Sequence, residues 1–525
     1  MSMFGITWVD SLIIVWYFII LLIIGFSFYS RTHTESELFL AGRRLTWPAI
    51  GFSLFATNIS STTMIGLAGS AYVYGVAVSS YEWMATLVLI FGVLFIFPFY
   101  FHHRISTIPE FLEKRFNVAI RRYVSMFTIL LSVVIDIAAS LYAGALLIAI
   151  FLPGTNIWIT CFVLAVLAGL YTAGGGLAAV VYTDILQAVL IIMAGTILSF
   201  AVFSQYDFSW TAATDGLQEL HLQIFRPAHD SFLPWTGIVL GLPLLSFYVW
   251  IINQYIVQRI LGAKNINHAR WGALFGASLK LLVLFIMVIP GLMAINLLPK
   301  LDNPDMVFPT LVKELLPPGV LGIMLAGVLA AIMSSLDSAL NAASTLIVID
   351  LIKPRKPHLE SKQLARIGKS ITLGLMIFAG VWAPFISYFS GLFDYVQIAL
   401  AYLIPPVVTV FLAGIFLPGT HGRSALWTMV SGHFFSGIFI ILTLNDILTV
   451  HYTLITFLLF LISCFSIFIL NHLLSPGQDE PQDLTALTWI YRPQVKENSG
   501  HRLYDHKLLS VIILCLLLLT VWKFL

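Results

Sequence analysis

Charge is scarce in this chain. Lys, Arg, Asp and Glu make up 10% of its 525 residues, against about a quarter in a soluble globular domain. With 59% hydrophobic residues and a mean hydropathy of +0.95, that shortage excludes a soluble protein with a simple anchor. It points to an integral membrane protein that lives in the lipid bilayer. Cysteine is scarcer still. Cys161, Cys464 and Cys515 all fall inside apolar runs, which supplies neither metal-ligand spacing nor a disulfide framework; they read as small apolar fillers. The net charge of +2 gives no reason to expect a nucleic-acid or acidic partner. Catalytic signatures are missing too: no H-E-x-x-H, no G-x-S-x-G, and no G-x-x-x-x-G-K-[ST] phosphate loop. The triple glycine Gly174–Gly176 lacks the lysine that phosphate binding needs and reads as a tight cytoplasmic turn between two helices. No enzyme is expected. Without a nucleotide site, uphill transport has to draw on an ion gradient.

What the chain does have is apolar runs of bilayer-spanning length. They predict an all-α membrane protein with 14 transmembrane helices near 6–30, 47–72, 76–101, 122–150, 156–173, 184–205, 233–256, 271–297, 319–350, 370–389, 393–418, 425–444, 452–474 and 507–525. The first run has no basic residue before it and is too long for the core of a cleavable signal, so it reads as a span. If the N-terminus lies outside, Arg226, Lys300, Lys313 and Lys523 are external and Lys280 lies within the membrane. The rest of the 27 Lys and Arg then gather in cytoplasmic connections. Positive residues inside place both termini outside. The last cytoplasmic connection, 475–507, is polar and carries PGQDEPQD; it reads as a flexible link with no chemistry.

Two of these helices carry interruptions. One is FSLFATNIS followed by STT (52–63), which puts Asn58, Ser60, Ser61, Thr62 and Thr63 in mid-membrane. The other is Gly241–Pro243 in the seventh helix, where Pro removes a backbone donor and Gly loosens the helix. Weakened helices at matching places in two halves point to an inverted-repeat transporter with its site near the bilayer centre. A third stretch, Leu321–Asp350, is long enough to span but rich in hydroxyls. Ala331, Ser334, Ser335 and Ser338 recur at i, i+3, i+4, i+7 and share one face. Serines with Asp337 offer oxygen only, the ligand type that hard cations take. Close packing of small residues with hydroxyl bonds between helices is the structural alternative.

Ionisable groups inside the apolar runs are few: Glu82, Asp136, Asp184, Lys280, Asp337 and Asp394. Each is a functional candidate, because a lone charge in lipid costs several kcal/mol. Asp394 lies near the outer end of its helix, where water can solvate it. Asp184 follows GGGLAAVVYT and can cap a helix start. Glu82, Asp136 and Lys280 form either a structural ion cluster or a polar pocket. Such a pocket suits a polyhydroxylated solute, with Tyr81, Trp83, Tyr248 and Trp250 offering flat faces nearby.

Taken together, AGRRLTWPAIGFSLFATNISS, GLAGSAYVYGVAVSSYEWMA, YTAGGGLAAVVYTDILQ, INQYIVQRILGAK, SLKLLVLFIMVIPG and AAIMSSLDSALNAASTLIVIDL resemble the sodium:solute symporters, in particular their sodium/glucose branch. The likeness runs from about 37 to 355 and fades towards 420. It implies a single transporter domain over 1–525 with a LeuT-type 5+5 inverted repeat. The first repeat would cover 46–205 and the second 233–418, with flanking helices at 6–30 and 425–525. It implies Na+ as the coupled ion, held by the carbonyls of Ala56, Ile59 and Ala331 and the hydroxyls of Ser334 and Ser335. Asp184 matches an acid on the sodium exit route. Asp337 stands where relatives with a second sodium site have a hydroxyl, and with Asp184 it can form such a site here.

The same resemblance places Glu82, Lys280 and Gln397 on positions that bind sugar in galactose-carrying members. Asn58, Thr63, Asp136 and Ser246 fall in the same substrate set, and Tyr248, Val249 and Trp250 at its gate. This chain departs from the pattern at several of them. Thr63 replaces a glutamine, Ala85 a serine, Ser246 an asparagine, and Val249 the tyrosine that closes the pocket from inside. Asp136 replaces an asparagine or lysine, so it either pairs with Lys280 or meets the solute. The partners expected are sodium, a small polar solute and the lipid bilayer of the cell membrane. A sugar or polyol is the first choice of solute; sialic acid, an amino acid or a vitamin are alternatives. The same fold driven by protons, or a solute sensor that transports nothing, also remains open. The short cytoplasmic connections leave little room for a signalling domain.

Overall fold

The computed structural model describes residues 7–388, 392–474, 487–489 and 505–524, with backbone alone at 387–388 and 392–395. The side chain of Asp394 and nearly all of the predicted 475–507 connection lie outside the described residues. The regular structure is helical throughout the described residues, apart from two isolated β-bridges. That is what a bilayer demands, since a helix satisfies its own backbone donors and acceptors. Ten helical runs are long and apolar enough to cross a membrane. They become eleven if the bent pair Val396–Leu403 and Pro405–Phe416, meeting at 48°, is one span.

The difference from fourteen has local causes. Ser61–His102 and Ile157–Ser204 each run through two of the predicted helices, and His506–Trp522 is short. The junction within Ile157–Ser204 is Gly176, with φ 59° and ψ −155°. Gly174–Gly176 is buried, and the chain passes from one helix to the next at Gly176, the tight turn its composition suggested. A Cβ at Gly176 would press on the backbone of Leu38, so the positive φ and the close approach both call for glycine. Asp184 consequently lies inside a helix, fully buried, and caps nothing.

The first predicted interruption is where expected. Trp47–Asn58 ends at Ile59 (φ −87°, ψ 92°), and Ser60 caps the next helix, Ser61–Tyr74. The second shows as a boundary at Gly241, between Trp235–Leu240 and Leu242–Phe247. Gly241 itself keeps near-helical angles (φ −93°, ψ −46°), and the backbone opens further on, at Asn253 (ψ 122°), whose side chain caps Gln254–Leu261. Pro243 sits in the first turn of its helical segment, where its missing N–H costs little.

The serine helix is the hub. Within an 18-residue apolar stretch of its run Val320–Ile352, 83% of residues are buried, against 17% for such a stretch of the lipid-facing Trp8–Arg31. Its most extensive contacts are with Ile157–Ser204. Trp47–Asn58 packs closely on Ile266–Lys280, where Gly51 and Gly272 face each other's helices so tightly that a Cβ on Gly272 would lie 2.7 Å from Ile50. Small residues allow this backbone approach. At one end of the serine run, the Asp350 carboxylate accepts from Thr107 (2.8 Å), Arg121 (2.9 Å) and Ser125 (3.1 Å). Arg121, predicted as a loop cation, is therefore buried in an ion pair.

At the other end the cap comes from a different helix. Asp10 of Trp8–Ser27 accepts from the backbone N–H of Gly319 and of Gly322, both at 2.7 Å, and is fully buried. A carboxylate on these open N–H groups acts as an N-cap and favours the helix dipole. Asp10→Ala is expected to cost about 1–2 kcal/mol, read as a lowered thermal midpoint of the purified protein. A midpoint equal to wild type would contradict the capping role.

Candidate functional site

At the break, two helices bring oxygen atoms together. The Ser334 hydroxyl donates to the Ala56 carbonyl at 2.8 Å and to the Ala331 carbonyl at 3.1 Å. The Ser335 hydroxyl donates to the Thr57 carbonyl at 3.2 Å and to the Ala331 carbonyl at 3.1 Å. Ile59 occupies the extended residue of the break, where its carbonyl leaves the helical direction. Of the predicted ligand set, Ala56, Ala331, Ser334 and Ser335 thus meet along one seam between the broken helix and the serine helix, and Ile59 lies at the break beside it in the chain. Such a set of neutral oxygens suits a hard monovalent cation. Among the described residues no group of three or more His, Cys, Asp or Glu could hold a metal ion.

Beside this seam sits a charge cluster built around a residue that sequence reasoning misplaced. Arg259 was counted among the cytoplasmic loop cations, but its side chain is fully buried. Its guanidinium donates to Ser53 (2.7 Å), Thr57 (2.6 Å), Asp184 (3.2 Å), Ser338 and the Tyr255 carbonyl. Its fork of N–H donors can serve several acceptors at once, which a lysine ammonium cannot match. Asp184 also accepts from Ser53 and from Thr57 (3.2 Å) through the same oxygen, Oδ2. Its Oδ1 has no hydrogen-bond partner among the described residues. Asp337 accepts from Tyr171 at 2.6 Å and from Ser338 at 3.1 Å. Ser338 therefore links the two acids, which lie in one network as the sequence suggested, with a guanidinium between them that the sequence did not suggest.

A cavity of about 130 Å³ opens on the other side of the break, lined by Asn58, Thr63, Asp136, Val249, Ser335 and Gln397 among others. Two local features aim its side chains. Asp136 rides on the π-helical stretch Leu131–Ile137, and Val249 on Tyr248–Ile252. Wide turns of this kind recur at functional sites. Lys280 is fully buried and donates to Glu82 and to Asn58, with its ammonium 5.3 Å from the Trp250 ring centre. Neither Lys280 nor Glu82 lines the cavity directly; they reach it through Asn58. The proposed alternative of an Asp136–Lys280 pair is not what forms. Ser246, Tyr248 and Trp250 are buried behind the cavity wall, and of the gate residues only Val249 faces it. Ser140 and Tyr255 also line the cavity and were missed; neither stands out in an apolar run without a fold to place it.

Helices broken at mid-length, oxygen atoms converging on the break and a small polar cavity beside it define a secondary transporter of the broken-helix class. The chain belongs to the sodium:solute symporter family, whose profile matches residues 38–432. Its activity is sodium-coupled symport of a solute. Sodium/glucose cotransporter 4 of Danio rerio is 35% identical over 81% of this chain and 70% of its own length. Sodium/glucose cotransporter 1 of Sus scrofa gives the same three figures. Sodium/myo-inositol cotransporter 2 of Homo sapiens is 34% identical, over 81% of this chain and 68% of its own. Among solved structures, a Na+-coupled sialic acid symporter in a substrate-bound outward-open state superposes with a TM-score of 0.79. It shares 21% identity and covers 90% of this chain and 100% of that one. At that identity the likeness speaks for the fold alone.

Proposed function

We propose that this symporter carries a sugar or related polyol, and that sodium binds at the seam of Ala56, Ile59, Ala331, Ser334 and Ser335. The observation that carries this reading is the Ser334 hydroxyl 2.8 Å from the Ala56 carbonyl, across two helices far apart in sequence. An ion held there would tie the broken helix to the serine helix. A ligand shifts a conformational equilibrium only through its different affinity for the two states, and a cage shared by two separable helices supplies that difference. The coupling is reciprocal: solute tightens sodium binding as sodium tightens solute binding. Asp184 and Asp337 would serve a second sodium or its exit route, with Arg259 as the cation that sodium must displace or share with.

The solute would lie in the cavity with Asn58, Thr63, Asp136 and Gln397 in reach. Glu82 and Lys280 would hold Asn58 in place, and Ser246, Tyr248, Val249 and Trp250 would back the wall. The sugar relatives and the polar lining support this assignment.

The same reading includes 14 spans with both termini outside. Ile157–Ser204 has 48 residues, roughly 70 Å of helix, more than twice the ~30 Å hydrocarbon core. It counts as two spans bent at Gly176, and Ser61–His102 likewise turns at Gly75 (φ 75°). Two five-helix repeats would then fall at 46–205 and 233–418, flanked by 6–30 and 425–525. Radiolabelled glucose, galactose and myo-inositol uptake into proteoliposomes tests the function. Accumulation is expected with an inward sodium gradient and not with potassium. Accumulation on a proton gradient alone, or binding without uptake, would overturn it.

A further inference from the structure

Six ionisable side chains lie in and around the transport core, and their pairing is uneven. Glu82 is matched by Lys280, and Asp184 by Arg259. That leaves Asp337 and Asp136. Asp337 lies on the sodium helix, three residues from Ser334, and accepts from Tyr171 and Ser338. Its two oxygens are thus each hydrogen-bonded. Asp136 is different. It lines the cavity, and no hydrogen bond or ion pair with it is formed among the described residues. The one lysine nearby is already committed to Glu82 and Asn58.

A carboxylate left alone at membrane depth costs several kcal/mol. It becomes favourable when an opposite charge arrives with hydrogen bonds to it. The cavity restricts what can bring that charge. At about 130 Å³ it holds about four water molecules, too little for a disaccharide. Its other polar walls, among them Asn58, Thr63, Ser140 and Gln397, are neutral groups that both donate and accept, as a ring of hydroxyls requires. An aromatic cage of the kind that holds a quaternary ammonium is not there: Tyr255 is the one ring among the lining residues.

Resting on the sugar or polyol reading above, we infer that the preferred solute is an amine-bearing one, an amino sugar or amino polyol whose primary ammonium is held by Asp136. Hydroxyls of the same ring meet Asn58, Thr63 and Gln397. The neutral sugars are then secondary substrates.

The test is ligand binding to the purified full chain in sodium and in potassium, read by thermal shift at a pH where the amine is protonated. Matched probes are glucose, glucosamine and N-acetylglucosamine, then galactose with galactosamine, and myo-inositol with an aminodeoxyinositol. The free amine is expected to act at a concentration at least tenfold below its neutral parent, in sodium only, and acetylation of the nitrogen to abolish the gain. Asp136→Asn should bring the amine and its neutral parent to equal half-maximal concentrations, whatever it does to the absolute affinity for either. If Asp136→Asn does not fold, the wild-type comparison of amine with acetylated amine decides alone. Neutral parents binding as well as the amines, or an amine preference that survives Asp136→Asn, overturns the inference and leaves the sugar reading intact. No sodium-dependent binding by any probe overturns both.

Discussion

Arg259→Met is expected to be among the most damaging single substitutions in the membrane core. Removing one partner of a buried ion pair costs about 3–5 kcal/mol, because the other charge is left without compensation. Here the orphan would be Asp184, fully buried and held only by Ser53 and Thr57. The loss would also reach Ser338 and the Tyr255 carbonyl, both of which accept from the same guanidinium. The expected readout is a clear drop in the thermal midpoint of the purified protein. Arg259→Lys keeps the charge but not the fork, and should fall between wild type and methionine. Adding Asp184→Asn to Arg259→Met should recover a substantial part of the loss, since the uncompensated charge is then gone. A double variant no more stable than Arg259→Met would show that the damage has another origin.

That this residue escaped the sequence reading has a physical reason. An arginine near a predicted helix end is solvated in most membrane proteins, and positive charges there are what orientation is read from. Its burial is decided by Ser53, Thr57, Asp184 and Ser338, which come from three other segments and meet only in the folded chain. Arg121 was misplaced in the same way, with Asp350 as the distant partner. The serine face was legible because its signal is local: hydroxyls at helical spacing on a stretch too apolar to be a loop. The break near Ile59 was legible for the same reason, since five polar residues crowd into mid-span.

The second interruption is legible as a helix boundary at Gly241, but not as the point of full opening, because composition reports where a helix is weak, not where it opens. Gly241 and Pro243 are tolerated inside a helix that begins nearby, while Asn253 opens the chain by capping the helix after it. Gly176 and Gly75 make helix boundaries hard to read for a related reason. A glycine at positive φ can turn the chain within one or two residues, and so leave no loop to read. The choice of partner within the charge cluster was out of reach. That Lys280 chooses Glu82 and Asn58 over Asp136 follows from the approach of helices remote in sequence.

Ser335→Ala is expected to raise the sodium concentration for half-maximal solute uptake by about tenfold or more, and Ser334→Ala to do the same. A hydrogen-bonding or ligating oxygen facing a charge contributes about 1.5–3 kcal/mol, and each 1.4 kcal/mol is a factor of ten. The two serines should not be equivalent in every respect. Ser334 is fully buried and reaches Ala56 at 2.8 Å, whereas Ser335 is partly exposed to the cavity and reaches Thr57 at 3.2 Å. Ser335 therefore touches both the seam and the solute space. Its loss should weaken solute binding in sodium more than it weakens the residual binding in potassium. Ser334→Ala should act on sodium alone at saturating solute. Because neither hydroxyl is needed to pair a buried charge, both variants should fold with midpoints close to wild type, which separates the site effect from a stability effect. Replacing both should remove sodium dependence while leaving the cavity formed. Sodium dependence unchanged in either single variant would take the ion away from this seam. With it would go the physical link between the ion and the break in the helix.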